Sequence, residues 1–312
     1  MPRHLPKPAL AAALALLSAC ASPDDGVPRT AQAECVFGAG DASPLRGATG
    51  TVVAGYVNGE PARLEVSTGL GLSSALPGSV QAFGLPTDPV RRTGFGTPGS
   101  GDVRQNVTVR SLRVGGQDWG GRSLAVRPYF MPDGSPPAFD AMIGADLLRE
   151  TELELDLPAR RVAFHARRGG CQPGAPPWAP ASSVPMEVQN HGAPFVVARL
   201  NGQPVRALIH SGNNATAMTR RLADRVGLAR GDATAGRRVR SHGTDPRVSR
   251  GQEFRVNELA VGQEVLRGVP VIVTADGTGG GEELVLGQDW LRHRKVWLSF
   301  GSRRLFLAPT GG

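Results

Sequence analysis

A serine and a histidine stand at matching places in this chain, and that pair of side chains is the raw material of nucleophilic catalysis. Ser67 opens the tripeptide Ser67-Thr68-Gly69, and His210 opens His210-Ser211-Gly212, 143 residues further on. A histidine within hydrogen-bond reach can take a serine proton, provided a third group holds its ring in the working tautomer. No third carboxylate is evident apart from Glu65, two residues before Ser67 on the same strand face. A strand tip also lacks an oxyanion hole built for acyl transfer. The bland alternative is that Ser67 and His210 simply hydrogen-bond in an inert setting. The remaining chemistry-bearing residues offer less. His165, His191, His242 and His293 lack metal-ligand spacing and read as solvated loop or strand-end residues, so neither metal nor cofactor is implied. The Gly-rich run from Gly94 to Gly101 does not lead from a strand into a helix, as a phosphate-cradling loop would.

The elements that must position Ser67 and His210 come from a repeat. Val57-Asn58-Gly59-Glu60-Pro61 lies over Leu200-Asn201-Gly202-Gln203-Pro204 at the offset of 143, and the alignment runs on through both tripeptides. Gly84-Leu85 falls on Gly227-Leu228, Ile143-Gly144 on Leu286-Gly287, and Arg161-Val162 on Arg304-Leu305, all at the same offset. Leu112-Arg113-Val114-Gly115 pairs with Leu259-Ala260-Val261-Gly262 at 147, so compensating insertions fall between the blocks. One offset shared by separated blocks marks a duplicated unit.

Each unit reads as mostly β. Asn-Gly supplies the positive φ angles of a tight primed turn, and alternating apolar residues flank it on both sides. A short amphipathic helix is expected over Thr219 to Val226, ended by Gly227. Shorter ones are expected at Asp146 to Arg149 and Asp289 to Arg292, where acidic residues suit the helix dipole and need no catalytic role. Residues 169–184 are rich in Pro and Gly and form the natural boundary between units.

These blocks resemble the retropepsin-like aspartic protease family. In that family a strand ends in Asp-Thr-Gly, and an apolar pair followed by Gly later supports the same loop. Here Met142-Ile143-Gly144 and Val285-Leu286-Gly287 occupy the supporting positions. The resemblance covers nearly all of residues 50–166 and 193–308. It implies an all-β fold of two pseudo-symmetric barrel lobes with a few short helices and a cleft between them, the intramolecular counterpart of a dimer. In the family two carboxylates meet at the pseudo-two-fold axis and share one proton, one acting as base on water and the other as acid. The resemblance gives Thr68 and Ser211 the role of bracing hydroxyls, and Gly69, Gly212, Gly144 and Gly287 that of turn and support. The catalytic positions are Ser67 and His210, and neither can serve in a carboxylate dyad. Leu70 and Asn213 also depart from the small residue usual after the Gly. Residues 94–101 and 237–250 take flap positions. The second of these carries Arg237, Arg238, Arg240, Arg247 and Arg250, which suit either a solvated hairpin or an anionic ligand.

The chain opens with Arg3, His4 and Lys7, followed by an apolar run too short to span a bilayer. Leu17-Ser18-Ala19-Cys20 closes the run and resembles a bacterial lipobox, which makes Cys20 the lipidated residue and implies an envelope lipoprotein. The alternative is an ordinary secretory signal with an incidental Cys. Ala21 after the lipidated Cys implies the outer membrane by the sorting rule of that class. Cys35 and Cys171 remain, one before and one after the first unit. In an oxidising compartment they suit a disulfide, the alternative being two free buried thiols.

The domain layout follows: leader 1–19, tether 20–48, first lobe 49–168, linker 169–184, second lobe 185–312. The net charge is +8, from 35 basic and 27 acidic residues, but the arginines are dispersed without aromatic interleaving, which argues against nucleic acid. The expected protein is a lipid-anchored monomer whose inter-lobe cleft holds a peptide or protein segment without cutting it. An active peptidase, either aspartyl or through a Ser67–His210 dyad, is one alternative, and a purely structural envelope protein is the other.

Overall fold

Each lobe starts its barrel with a hairpin closed by Asn-Gly. Val52–Val57 pairs with Glu60–Val66, and Pro194–Leu200 pairs with Gln203–Ile209. Asn58 and Gly59 have φ of 54° and 93°, and Asn201 and Gly202 have 48° and 80°. Two consecutive positive φ values are what a primed turn requires, and Asn and Gly tolerate them. Each Asn side chain then ties its turn to a later part of its lobe. Asn58 Oδ1 accepts from Arg110 N–H at 2.6 Å, and Asn201 Oδ1 accepts from Glu258 N–H at 3.1 Å.

The computed structural model describes residues 42–47, 50–95, 102–131, 133–166, 175–228, 238–241, 249–274 and 282–309. The leader, Cys20, Cys35 and Cys171 lie outside the described residues, as do His242 and most of both segments assigned to flap positions. Among the described residues, no helix is long and apolar enough to cross a membrane.

The inner strand of each hairpin is flanked by a short, wholly buried one. Ala141–Ile143 runs parallel to Glu60–Val66, and Leu284–Leu286 runs parallel to Gln203–Ile209. Alternation sends Leu64 and Val66 into the main core of the first lobe, and Ala207 and Ile209 into that of the second. Each of the larger buried aliphatic side chains contributes roughly 1.5–3 kcal/mol. A chain poor in aromatics can build its cores this way.

The lobes are joined by an antiparallel sheet. Ser43–Pro44, Arg161–Ala166 and Thr151–Asp156 come from the first lobe, and Lys295–Ser299, Arg304–Leu307 and Ser182–Val188 from the second. Its centre is the pairing of Thr151–Asp156 with Lys295–Ser299, where Glu154 lies opposite Trp297. The lobes form a single unit.

Several boundaries differ from the sequence reading. The first lobe begins at Ser43 rather than 49, because Ser43 pairs with Val162 and closes the joining sheet. The linker ends before 184, because Ser182 already pairs with Leu307. Within it, Trp178 Nε1 donates to Glu154 Oε2 at 2.8 Å, so this stretch packs on the sheet. The short helices are Ala145–Leu148 and Gln288–Leu291, each starting one residue early at its supporting glycine. The helix Arg220–Arg225 is capped by Thr219, whose hydroxyl accepts from Leu222 N–H. His165 is buried, with its ring packed 4.4 Å from that of Trp297 in the other lobe.

Candidate functional site

The two tripeptides meet between the lobes and interlock. Thr68 Oγ1 donates to Ile209 O at 2.7 Å and accepts from Ser211 N–H at 3.0 Å. Ser211 Oγ donates to Val66 O at 2.6 Å and accepts from Thr68 N–H at 3.0 Å. Both side chains are fully buried, so each bond is shielded from water. Thr51 Oγ1 adds a bond to Val66 O at 2.8 Å. Gln288 clips the lobes together as well, its Nε2 donating to Ser211 O at 2.7 Å while Oε1 accepts from Gly50 N–H at 3.1 Å.

Below each loop the supporting glycine permits a contact that a Cβ would block. A Cβ on Gly144 would lie 2.7 Å from Leu70 O, and one on Gly287 would lie 2.7 Å from Asn213 O. Those same carbonyls accept from Ala145 N–H and Gln288 N–H, both at 2.7 Å. Asp146 and Asp289 brace the next turn. Asp146 Oδ1 accepts from Ser73 N–H at 2.8 Å and Ser73 Oγ at 2.7 Å, while Asp289 accepts from the N–H and Oγ1 of Thr216 at the same distances. Their role is therefore more than complementing a helix dipole. Burial is the largest influence on Asp146 and lifts its pKa, against the pull of these hydrogen bonds.

Ser67 and His210 lie across the junction from one another. Ser67 N–H donates to Ile143 O at 2.9 Å and His210 N–H donates to Leu286 O at 3.0 Å, so both sit at equivalent points of their loops. The imidazole lies on the glycine of the other lobe: a Cβ on Gly69 would come within 2.3 Å of His210 Cγ. Conversely, a Cβ on Gly212 would come within 2.4 Å of Ser67 Oγ and 3.2 Å of His210 Cε1. The hydroxyl and the ring are therefore close neighbours. No hydrogen bond joins them.

The histidine's tautomer follows from its one bond. Nδ1 accepts from Gly212 N–H at 3.2 Å, which leaves the proton of the neutral ring on Nε2. Burial pushes the His210 pKa down to about 4. The ring reaches solvent only in part. With Nδ1 accepting from Gly212 N–H, the neutral ring offers a donor at Nε2, and no hydrogen bond among the described residues ties it to Ser67 Oγ. Nor does the junction contain two facing carboxylates.

Residues 196–293, within the second lobe, match the family described as gag-polyprotein putative aspartyl protease. The fold is mostly β, two lobes each with an Asn-Gly hairpin. Among solved structures that match is a retropepsin-like aspartic protease from Rickettsia conorii, 17% identical, with the match covering 40% of this chain and 89% of that one at a TM-score of 0.32. No curated protein matches the chain. The segment matching the aspartyl protease family contains His210, Ser211, Gly212 and Gly287.

Other sequence candidates do not gather at this junction. His191 is exposed, though its Cβ would lie 3.4 Å from a Cβ on Gly71. His293 is exposed and accepts from Arg292 Nε at 3.1 Å. Arg238 and Arg250 are exposed on a strand pair, Arg238–Ser241 with Ser249–Val261. Among the described residues, no three His, Cys, Asp or Glu side chains cluster as metal ligands. Two contributors carried no sequence signal of their role. Gln288 bridges the lobes where the first lobe has Ala145, and Thr51 precedes the repeat blocks. The Ser73–Asp146 and Thr216–Asp289 braces share the 143 offset, which could have exposed them.

Proposed function

We propose that this protein is a non-catalytic retropepsin-like lipoprotein of the cell envelope that binds an extended peptide or protein segment between its lobes. The observation that carries the reading is the division of labour at the junction. Every hydroxyl and glycine that interlocks the loops is kept, whereas the two positions the family resemblance assigns to carboxylates hold Ser67 and a neutral His210. Without a shared-proton pair there is no group to activate water and none to protonate a leaving amine. General acid and base each contribute typically 10²–10⁴-fold, so losing both removes hydrolysis by the aspartic mechanism. An extended segment would be held by backbone pairing along strand edges, as in other β-augmentation modes.

The test is a diverse peptide library incubated with the unmutated protein at acid and neutral pH, analysed for cleavage and for retention on the immobilised protein. Retention without cleavage is expected. Cleavage that a transition-state analogue of aspartic proteases blocks, and that His210→Ala abolishes, would overturn the reading. The anchor is tested separately. A fatty-acid analogue should label the wild type and leave Cys20→Ser unlabelled, and equal labelling of both would remove the lipoprotein assignment.

A further inference from the structure

Beside the interlocked loops each lobe carries a row of four register partners, and the two rows differ in chemistry. In the second lobe the row is Ala217, Val285, Leu208 and Phe195. All four are buried and apolar, and the Arg206 guanidinium stacks over the Phe195 ring at 3.6 Å. In the first lobe the matching row is Ser74, Met142, Glu65 and Val52. The rows correspond position by position at the offset of 143. Leu208 is thus answered by a glutamate and Ala217 by a serine.

Neither polar group in the first row is satisfied within the protein. Ser74 Oγ is buried without a hydrogen-bond partner. Glu65 is only 7% exposed, and among the described residues no donor or cation pairs with its carboxylate. The nearby acid on the same lobe is already taken, since Asp140 accepts from Arg63 at 2.8 Å. Burial pushes the Glu65 pKa up to about 8. A carboxyl so little exposed, with no partner among the described residues, leaves room for a ligand that completes it.

Position supplies the rest. Residues 65 and 67 share a strand face, while 64 and 66 point into the main core, so Glu65 faces the same side as Ser67. That side holds a small satellite cluster of Leu76, Phe139 and Met142, rimmed by partly exposed Val52, Leu70 and Tyr129. Tyr129 stands edge-on to Phe139 at 5.0 Å, and burial, with Glu65 as the smaller influence, raises its phenol pKa. Apolar side chains beside a carboxyl suit a side chain with an aliphatic stem and a cationic head.

We propose that Glu65 marks a subsite for a lysine or arginine side chain of the bound segment, while the equivalent row of the second lobe takes an apolar one. The two lobes then read different residues, which gives the bound segment a direction. This rests on the peptide-binding reading above.

The experiment measures Kd for fluorescent peptides retained by the protein, each paired with an analogue in which norleucine replaces its single lysine. In the wild type the exchange should weaken binding about tenfold or more, the scale of one charge-assisted bond. In Glu65→Gln the two peptides should bind alike, and Glu65→Leu, which copies Leu208, should favour norleucine. Equal affinities in the wild type, or a lysine preference that survives Glu65→Gln, would overturn the proposal. If no peptide of any kind is retained, the peptide-binding reading fails. Glu65 is then decided on its own by carboxyl-carbon NMR of glutamate-labelled protein with n-butylammonium and with n-butanol. A shift of the Glu65 signal with the ammonium alone supports a cation subsite, and no shift with either removes it.

Discussion

Thr68 and Ser211 each donate a backbone N–H to the other's hydroxyl, both at 3.0 Å, although they stand 143 residues apart. Their hydroxyl protons then pass to carbonyls on the opposite strand, Ile209 O and Val66 O. The result is a closed circuit of four bonds in which every donor and acceptor is used and none touches water. It fixes where Ser67 and His210 stand, because each is the chain neighbour of a circuit member.

Thr68→Val keeps the shape of the side chain but leaves Ser211 N–H and Ile209 O without partners. Each buried orphan costs about 1–3 kcal/mol, so a loss of about 2–5 kcal/mol is expected in denaturant unfolding. Ser211→Ala should cost less, because Val66 O still accepts from Thr51 Oγ1 and only Thr68 N–H is orphaned. The four bonds are distinct, so any shortfall of the double variant from the sum of the single losses measures coupling through the shared loops. Strict additivity would mean that they act separately.

The family resemblance is what assigns bracing hydroxyls to Thr68 and Ser211; the repeat alone places the two at equivalent positions without showing which groups they bond. What escaped were features set by non-local pairing. His165 reads as a strand-end residue, yet its ring packs against Trp297 of the other lobe, a contact that alternation along one strand cannot reveal. Asp146 and Asp289 read as helix-dipole partners, but their acceptor role depends on Ser73 and Thr216, 73 residues earlier. A glutamate in a strand ordinarily reads as solvent-facing. Glu65 is buried because Met142 and Val52 flank it on neighbouring strands. The two-residue strand at Ser43 is too short to show any periodicity.

His210 gives stability a dependence on acid. Its folded pKa of about 4 lies below the ordinary 6.5, so the unfolded chain binds a proton that the folded one refuses. The associated stability is fully present above pH 6.5 and is lost as the pH falls toward 4, by at most about 3 kcal/mol. His210→Asn should flatten that part of the profile in urea unfolding at pH 7.5, 5.5 and 4. Nitrogen NMR should show a neutral ring with its proton on Nε2 at pH 5.5. A charged imidazolium at that pH would refute the assignment.

Glu65 acts in the opposite sense. Its folded pKa of about 8 exceeds the ordinary 4.5, so between these values the folded state holds the extra proton. Its contribution to stability is therefore fully present below pH 4.5 and is lost as the pH rises through 8. Glu65→Leu should raise stability, by a few kcal/mol at most, and by more at pH 8.5 than at pH 5. Equal gains at both pH values would show that the carboxyl is already ionised at pH 5.

Gly69 and His210 should prove coupled through space. A Cβ at residue 69 would fall 2.3 Å from Cγ, 2.4 Å from Cδ2 and 2.8 Å from Cβ of His210. The first two atoms belong to the ring, but the third is anchored next to the backbone, so a rotamer change alone does not relieve the contact. Gly69→Ala should therefore force the loops apart, and a cost of about 1–3 kcal/mol is expected for overpacking of this kind. His210→Gly removes all three obstructing atoms at once. The pair Gly69→Ala with His210→Gly should consequently be more stable than Gly69→Ala with His210 kept, once the effect of His210→Gly alone is subtracted. Thermal unfolding of the wild type, the two single variants and the double variant closes the cycle. A coupling energy near zero would mean that the imidazole does not rest on Gly69 in solution. The crossing of the two loops at the heart of the candidate site would then have to be redrawn.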